Sequence, residues 1–118
     1  MTPAEHSDLV AARALPGWVV HEYWPADKIA GFALVCGTEF HCQLFDGSGF
    51  NRKAMREFLR APFEKHGHLT TRVPVGDKAN ERFNRLFGFE RTWSDEQYHY
   101  FVMAELPFGE KTQCQLSQ

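Results

Sequence analysis

The sequence is short of most features that would commit a chain to a simple class. Cysteine is scarce: Cys36, Cys42 and Cys114 make an odd count of three, two in apparent strands and one in a polar tail. That pattern argues against a disulfide framework and for a reducing, cytoplasmic setting. Basic charge is not in excess. The formal net charge is −2, which argues against nucleic acid as a partner, because bulk affinity for it needs a basic surface. No apolar run approaches the length of a membrane span, and the first residues lack a basic, apolar, small-residue leader pattern, so no membrane partner is expected. Internal repeats and low-complexity segments are missing too. What is present is a globular composition: 118 residues, 43% hydrophobic and 14% aromatic, with eleven Phe. A chain of this length makes one domain with a modest core.

Periodicity divides the chain into elements. Residues 4–14 suit a short helix with Leu9, Val10 and Ala14 on one face, stopped by Pro16-Gly17. Trp18 to Tyr23 is aromatic and β-branched, as in a strand. Turn chemistry at Pro25-Ala26-Asp27-Lys28 leads into a nearly continuous apolar run from Ile29 to Cys36, expected of a strand covered on both faces. From Thr38 to Phe45 the residues alternate. Phe40, Cys42 and Leu44 point one way, and Glu39, His41 and Gln43 the other. After a break at Asp46-Gly47-Ser48-Gly49, Phe50, Ala54, Met55, Phe58, Leu59 and Pro62 recur at helical spacing. Pro62 should kink or end that helix. Leu69, Thr71, Val73 and Val75 alternate as a strand, and Ala79, Phe83, Leu86 and Phe87 form the buried face of a further helix. Glu90 to Trp93 and Tyr98 to Ala104 read as a hairpin around Ser94-Asp95-Glu96, and Pro107 to Gln118 reads as a flexible tail.

The predicted order is helix, three strands, helix, strand, helix, two strands. Helices between the third and fourth strands, and between the fourth and fifth, predict parallel pairing in both places. The antiparallel meander before them makes the sheet mixed, so the expected fold class is α/β. Within His68 to Met103 a helix closed by Gly88-Phe89 leads straight into a strand at Glu90. In this the segment resembles the C-terminal half of the GNAT acyltransferase superfamily. The likeness covers roughly residues 18–104, the core of a single domain spanning residues 1–118. It implies a GNAT-like mixed sheet shortened at the N-terminus, with the family's first strand and first two helices reduced to about one short helix. In that shortness the chain looks most like small phage-encoded acetyltransferase-like proteins. The resemblance implies acetyl-CoA as co-substrate and acetyl transfer to an amine of a protein or bulky acceptor.

It also implies a site. The family's pyrophosphate loop falls on Leu44, Phe45, Gly47, Ser48, Gly49, Phe50, Asn51 and Arg52. Glycines there let the backbone approach phosphates, and the first N–H groups of the following helix point at the anion; Asp46 adds a negative charge beside them. The family often places a carboxylate base near the start of the strand that diverges from its neighbour. Glu39 stands there, with His41 two residues on along the same face. An imidazole titrates near neutral pH unaided, whereas a carboxylate needs burial to reach that range, so either could act as base. A Tyr four residues before the Gly of Gly-Phe is often the general acid. Asn84 holds that position here, and Asp77 holds the place of an Asn usual near the pantetheine. Both are carried over as cofactor-side positions, with Tyr98 and Tyr100 as other candidates for the acid.

Other chemistries fall away on spacing. Asp46, Ser48 and Glu57 sit at the first, third and twelfth positions of a calcium loop, but the sixth is Asn51 where Gly is required. His66 and His68 offer two metal ligands where four are the rule, so no metal is expected. His41 and Cys42 are adjacent in a strand and point to opposite faces, which prevents them from sharing a proton. Arg52, Lys53, Arg56 and Arg60 read as a solvated helix face. The rival from a different class is a catalytically degenerate GNAT-like structural or host-interaction protein, favoured by Asp46, Asp77 and Asn84. Loss of the first strand should expose a sheet edge at Trp18 to Tyr23. A homodimer or partner protein is expected to cover it, with Trp18, Tyr23 and Trp24 at the contact.

Overall fold

In the computed structural model, which describes residues 1–45 and 51–109, helix α1 (Pro3–Arg13) begins at a reciprocal cap. The Thr2 hydroxyl accepts from the Glu5 N–H at 3.1 Å, and the Glu5 carboxylate accepts from the Thr2 N–H at 2.8 Å. Strands β1 (Val19–Tyr23), β2 (Gly31–Cys36) and β3 (Glu39–Leu44) follow as an antiparallel meander. Then come α2 (Arg52–His66), β4 (Leu69–Pro74), α3 (Lys78–Leu86), β5 (Glu90–Ser94) and β6 (Tyr98–Met103). The strands form one six-stranded sheet in the order β1-β2-β3-β4-β6-β5, a mixed α/β architecture. Among the described residues, no helix is long and apolar enough to cross a membrane.

The two faces of the sheet follow from strand alternation. One face, called the front, buries Tyr23, Ala33, Val35, Phe40, Leu69, Val73, Phe101 and Met103 against Met55 and Leu59 of α2 and Phe87 beyond α3. The back face carries a smaller cluster, in which Leu9 and Ala12 of α1 cover Phe32 and Phe45. Two polar links fasten α1 there: Gln43 Nε2 donates to Asp8 Oδ2 at 2.9 Å, and Arg13 pairs with Glu22. Gly31 is required where β2 meets the end of β3, because a Cβ would fall 2.5 Å from the Gln43 carbonyl oxygen.

Several expectations change. The pairing of β3 with β4 is parallel, but β4 and β5 are not neighbours: β6 inserts between them and pairs antiparallel with both. The hairpin turn after β5 is tight enough to fold β6 back into the vacant position beside β4, so a crossover helix does not fix which strand becomes the neighbour. Pro62 does not end α2, which runs on to His66 and stops where Gly67, at φ 79°, donates to Phe63 O at 2.7 Å. On α3, Ala79 and Leu86 face solvent. Phe83 and Phe87 meet the core, while Glu81 is buried with Lys78 and Arg91 each 3.7 Å away. Tyr23 is only 1% exposed and donates to the Asn51 carbonyl at 3.4 Å, which removes it from the outer edge. On α1, Glu5, Leu9 and Ala12 are the buried positions, and Val10 and Ala14 are exposed.

Candidate active site

The feature that positions the site is a parallel ladder that barely forms. β3 and β4 are registered through one pair, Glu39 with Thr70, joined by the Thr70 N–H donating to Thr38 O at 2.7 Å. By contrast, β2 and β3 are matched over six pairs. Beyond Glu39 the two strands separate, which leaves the backbone of residues 40–44 facing β4 without a ladder. A gap of this kind offers N–H and C=O groups to an extended, amide-bearing ligand as a strand would.

Glu39 and His41 stand at the rim of that gap, on the back face. His41 Nε2 lies 2.6 Å from Glu39 Oε2, and the Arg72 guanidinium approaches the same carboxylate oxygen at 3.5 Å. A carboxylate accepting from Nε2–H fixes the neutral ring with its lone pair on Nδ1. Nδ1 lies 3.5 Å from the Thr71 hydroxyl across the gap. The Trp18 ring covers the imidazole with centroids 5.7 Å apart. The pair is about one-third exposed and borders two hollows. One, of about 400 Å³, lies under α1 and is lined by Leu34, His41 and Gln43 among others. The other, of about 480 Å³, opens over β4 and β6 and is lined by Glu39, Thr70, Arg72 and Tyr100 among others. Alternation along β3 gave Glu39 and His41; Trp18, Thr71 and Arg72 are additions that come from other elements. The one hint in the sequence was an Arg set among the β-branched residues of β4.

The cofactor-side positions within the described residues fall on several elements. Leu44 packs on the front core, and Phe45 is buried on the back. Asn51 caps α2 by accepting from the Ala54 N–H at 3.0 Å, and Arg52 is the first residue of that helix. Gly47, Ser48, Gly49 and Phe50 lie outside the described residues. Asp77 caps α3, with Oδ1 accepting from the Asn80 N–H at 3.2 Å and Oδ2 from its side-chain amide at 3.0 Å. Asn84 donates to Asn80 O at 3.0 Å. Both side chains therefore serve their own helix. Tyr100 donates to Asp95 at 2.7 Å, a bond that holds the phenol above its ordinary value. The Tyr98 ring lies under Arg72, 4.8 Å from its guanidinium carbon. Burial pushes the Cys42 thiol up to about 12, so it is no nucleophile near neutral pH. Among the described residues, no group of three His, Cys, Asp or Glu could hold a metal ion.

Three solved structures share this architecture. One is a candidate acetyltransferase matched at TM-score 0.60 and 18% identity over 81% of this chain and 61% of its own. A second, a candidate acetyltransferase from T. thermophilus, is matched at TM-score 0.61 and 18% identity over 94% of this chain and 72% of that one. The third is a ribosomal-protein-alanine N-acetyltransferase from Brucella melitensis, at TM-score 0.53 and 14% identity over 90% and 79% of the two chains. The chain has the GNAT fold. No family model matches the sequence, and neither does any curated protein. The chain spans about three fifths of the length of the first of these GNAT-type structures.

Proposed function

We propose that this chain transfers an acetyl group from acetyl-CoA to an amine on a protein or other bulky acceptor. The observation that carries the reading is the one-pair β3–β4 ladder with the Glu39–His41 pair on its rim. The residues present fit the co-substrate. The unladdered backbone of residues 40–44 suits the amide-bearing pantetheine arm, and the capped N-terminus of α2, with Asn51, Arg52 and Arg56, suits a phosphate-bearing end. Acetyl-CoA supplies an activated acyl thioester, so a C–N bond to the acceptor forms as the C–S bond breaks and CoA leaves as its thiol.

The chain's own residues handle the proton. An acceptor amine arrives mostly as its ammonium form and must lose a proton before it can attack. Nδ1 of His41, 3.5 Å from the Thr71 hydroxyl, is the acceptor at the rim, and Glu39 holds the ring in that tautomer. Arg72 and Trp18 fix the carboxylate and the ring. Among the described residues, Thr70, Arg72 and Tyr100 are at least partly exposed on the back face beside this pair, which suits a bulky acceptor better than an enclosed small molecule. Strand β1 is an edge strand of the sheet among the described residues, and pairing of two copies there is part of this reading.

The test is detection of the acetylated amine by mass spectrometry after incubation with acetyl-CoA and amine-bearing peptides, with His41→Gln alongside. Acetylation that is lost in His41→Gln supports the reading; equal acetylation in both proteins moves the base elsewhere. A second reading has its own observation. Asp77 and Asn84, at informative positions of the resemblance, are both consumed by helix bonds, as in a GNAT-like structural or host-interaction protein that keeps the sheet without the chemistry. No acetyl transfer to any amine, from a protein that does not bind acetyl-CoA, would favour it.

A further inference from the structure

After β6 the chain turns back across its own front face. Leu106 and Phe108 pack against the front core. Pro107 lies so close to Gly88 that a Cβ there would meet the proline ring at 3.2 Å. Phe108 meets Phe87 edge-on, with centroids 6.2 Å apart. On the α2 side, Arg56 Nη1 donates to the Leu106 carbonyl at 3.0 Å and the Pro107 carbonyl at 2.8 Å. The Arg52 guanidinium carbon lies 5.6 Å from the Phe108 ring centroid. Residues 105–109 thus tie the first two turns of α2 to the C-terminal end of α3. Phe108 and Gly109 also wall a hollow of about 700 Å³ that Arg52, Lys53, Arg56 and Arg60 line from the other side, together with Glu57, which pairs with Arg60.

Two features mark this segment as a stand-in for something else. Phe108 has φ 61°, a left-handed conformation uncommon for a bulky side chain. Arg52 and Arg56, one turn apart at the start of α2, have neutral partners in the segment: a ring and two carbonyls. A phosphate would bond a guanidinium more strongly, with charge on both sides and two parallel hydrogen bonds. We propose that residues 105–109 are a built-in strap that competes with the phosphate-bearing end of acetyl-CoA for Arg52 and Arg56. This rests on the cofactor reading given above and adds a means of regulating the same site. The strap lowers the affinity seen in solution by the fraction of molecules in which it is closed, and anything that draws the C-terminal segment away raises that affinity.

Calorimetric titration with acetyl-CoA tests this on three proteins: the full chain, a chain ending at Ala104, and Phe108→Gly. Glycine keeps the left-handed conformation and removes only the ring, so the third protein answers the question even where the shortened one fails to fold, which its melting curve would show. The shortened chain is expected to bind about fivefold more tightly than the full chain, and Phe108→Gly about twofold. Tighter binding by either folded variant supports the strap. Equal or weaker binding in the folded variants overturns it and leaves the cofactor reading in place. No binding by any of the three overturns the cofactor reading and the strap together.

Discussion

The front and back faces of the sheet are drawn from alternate residues of the same strands, yet they are used differently. The front, under α2 and α3, is filled with aromatic and aliphatic side chains from five of the six strands. Among the described residues, the back is covered by α1 only over β1 to β3; beyond β3 it presents Thr70, Arg72, Tyr98 and Tyr100, which are at least partly exposed. The difference teaches where stability and chemistry are placed. A filled face tolerates little change, because lost volume leaves a cavity. A half-covered face lets polar groups meet solvent and a ligand. The Glu39–His41 pair stands on the back face where α1's cover ends, and the diverging strands open a way through the sheet beside it.

Mutations can break this contrast, and the largest effects should come from the front. Phe101→Ala is expected to cost about 3–5 kcal/mol of folding stability, while Leu9→Ala on the back should cost nearer about 2 kcal/mol. Chemical denaturation of both variants checks the order, and a Leu9→Ala loss equal to that of Phe101→Ala would show the back to be just as much a structural core. Next in size are the rim variants. His41→Gln should lower turnover about a hundredfold or more and flatten its pH profile, while stability changes by less than about 0.5 kcal/mol. Glu39→Gln should have a smaller effect in the same direction, since in the proposed mechanism it only positions the ring. A loss of activity in step with a loss of stability would assign the pair to packing.

The smallest effect concerns pH. Cys42 is raised by burial to about 12, so in the folded state it keeps its proton after the unfolded chain has lost its own. Folding stability should therefore be unaffected by this group below the ordinary thiol range and should fall as pH rises through that range toward 12. Cys42→Ala should remove that part of the slope, read from melting temperatures between pH 8 and 10 (on the order of the ordinary thiol pKa). In the native protein, the exposed Cys36 should react with a thiol reagent well before Cys42. Rapid labelling of Cys42 would contradict the enclosure of its sulfur.

Much of the fold could be read from local pattern. The two-residue alternation of Phe40, Cys42 and Leu44, and the helical spacing of Met55 and Leu59, each put those residues on the front core. What could not be read were relations between distant elements. Nothing local in β5 or β6 announces that β6 slips in beside β4. Nor does the spacing of Ala79 and Leu86 show that α3 turns them outward. The same division runs through the site. Glu39 and His41 share a face by alternation alone, but Arg72, Thr71 and Trp18 join them only through strand register and the path of the chain before β1. Asp77 and Asn84 carry a resemblance in position, while their hydrogen bonds serve α3 itself.

In the proposed function, the gap beyond Glu39 receives the acyl-bearing arm of acetyl-CoA. Amide hydrogen exchange of the full chain, with and without saturating acetyl-CoA, addresses it most directly, because the unladdered amides of β3 are the groups said to be used. The expected result is slowed exchange within residues 40–44 and in the first turn of α2, with little change along β1. Unchanged exchange in residues 40–44 under conditions where calorimetry shows acetyl-CoA bound would contradict it.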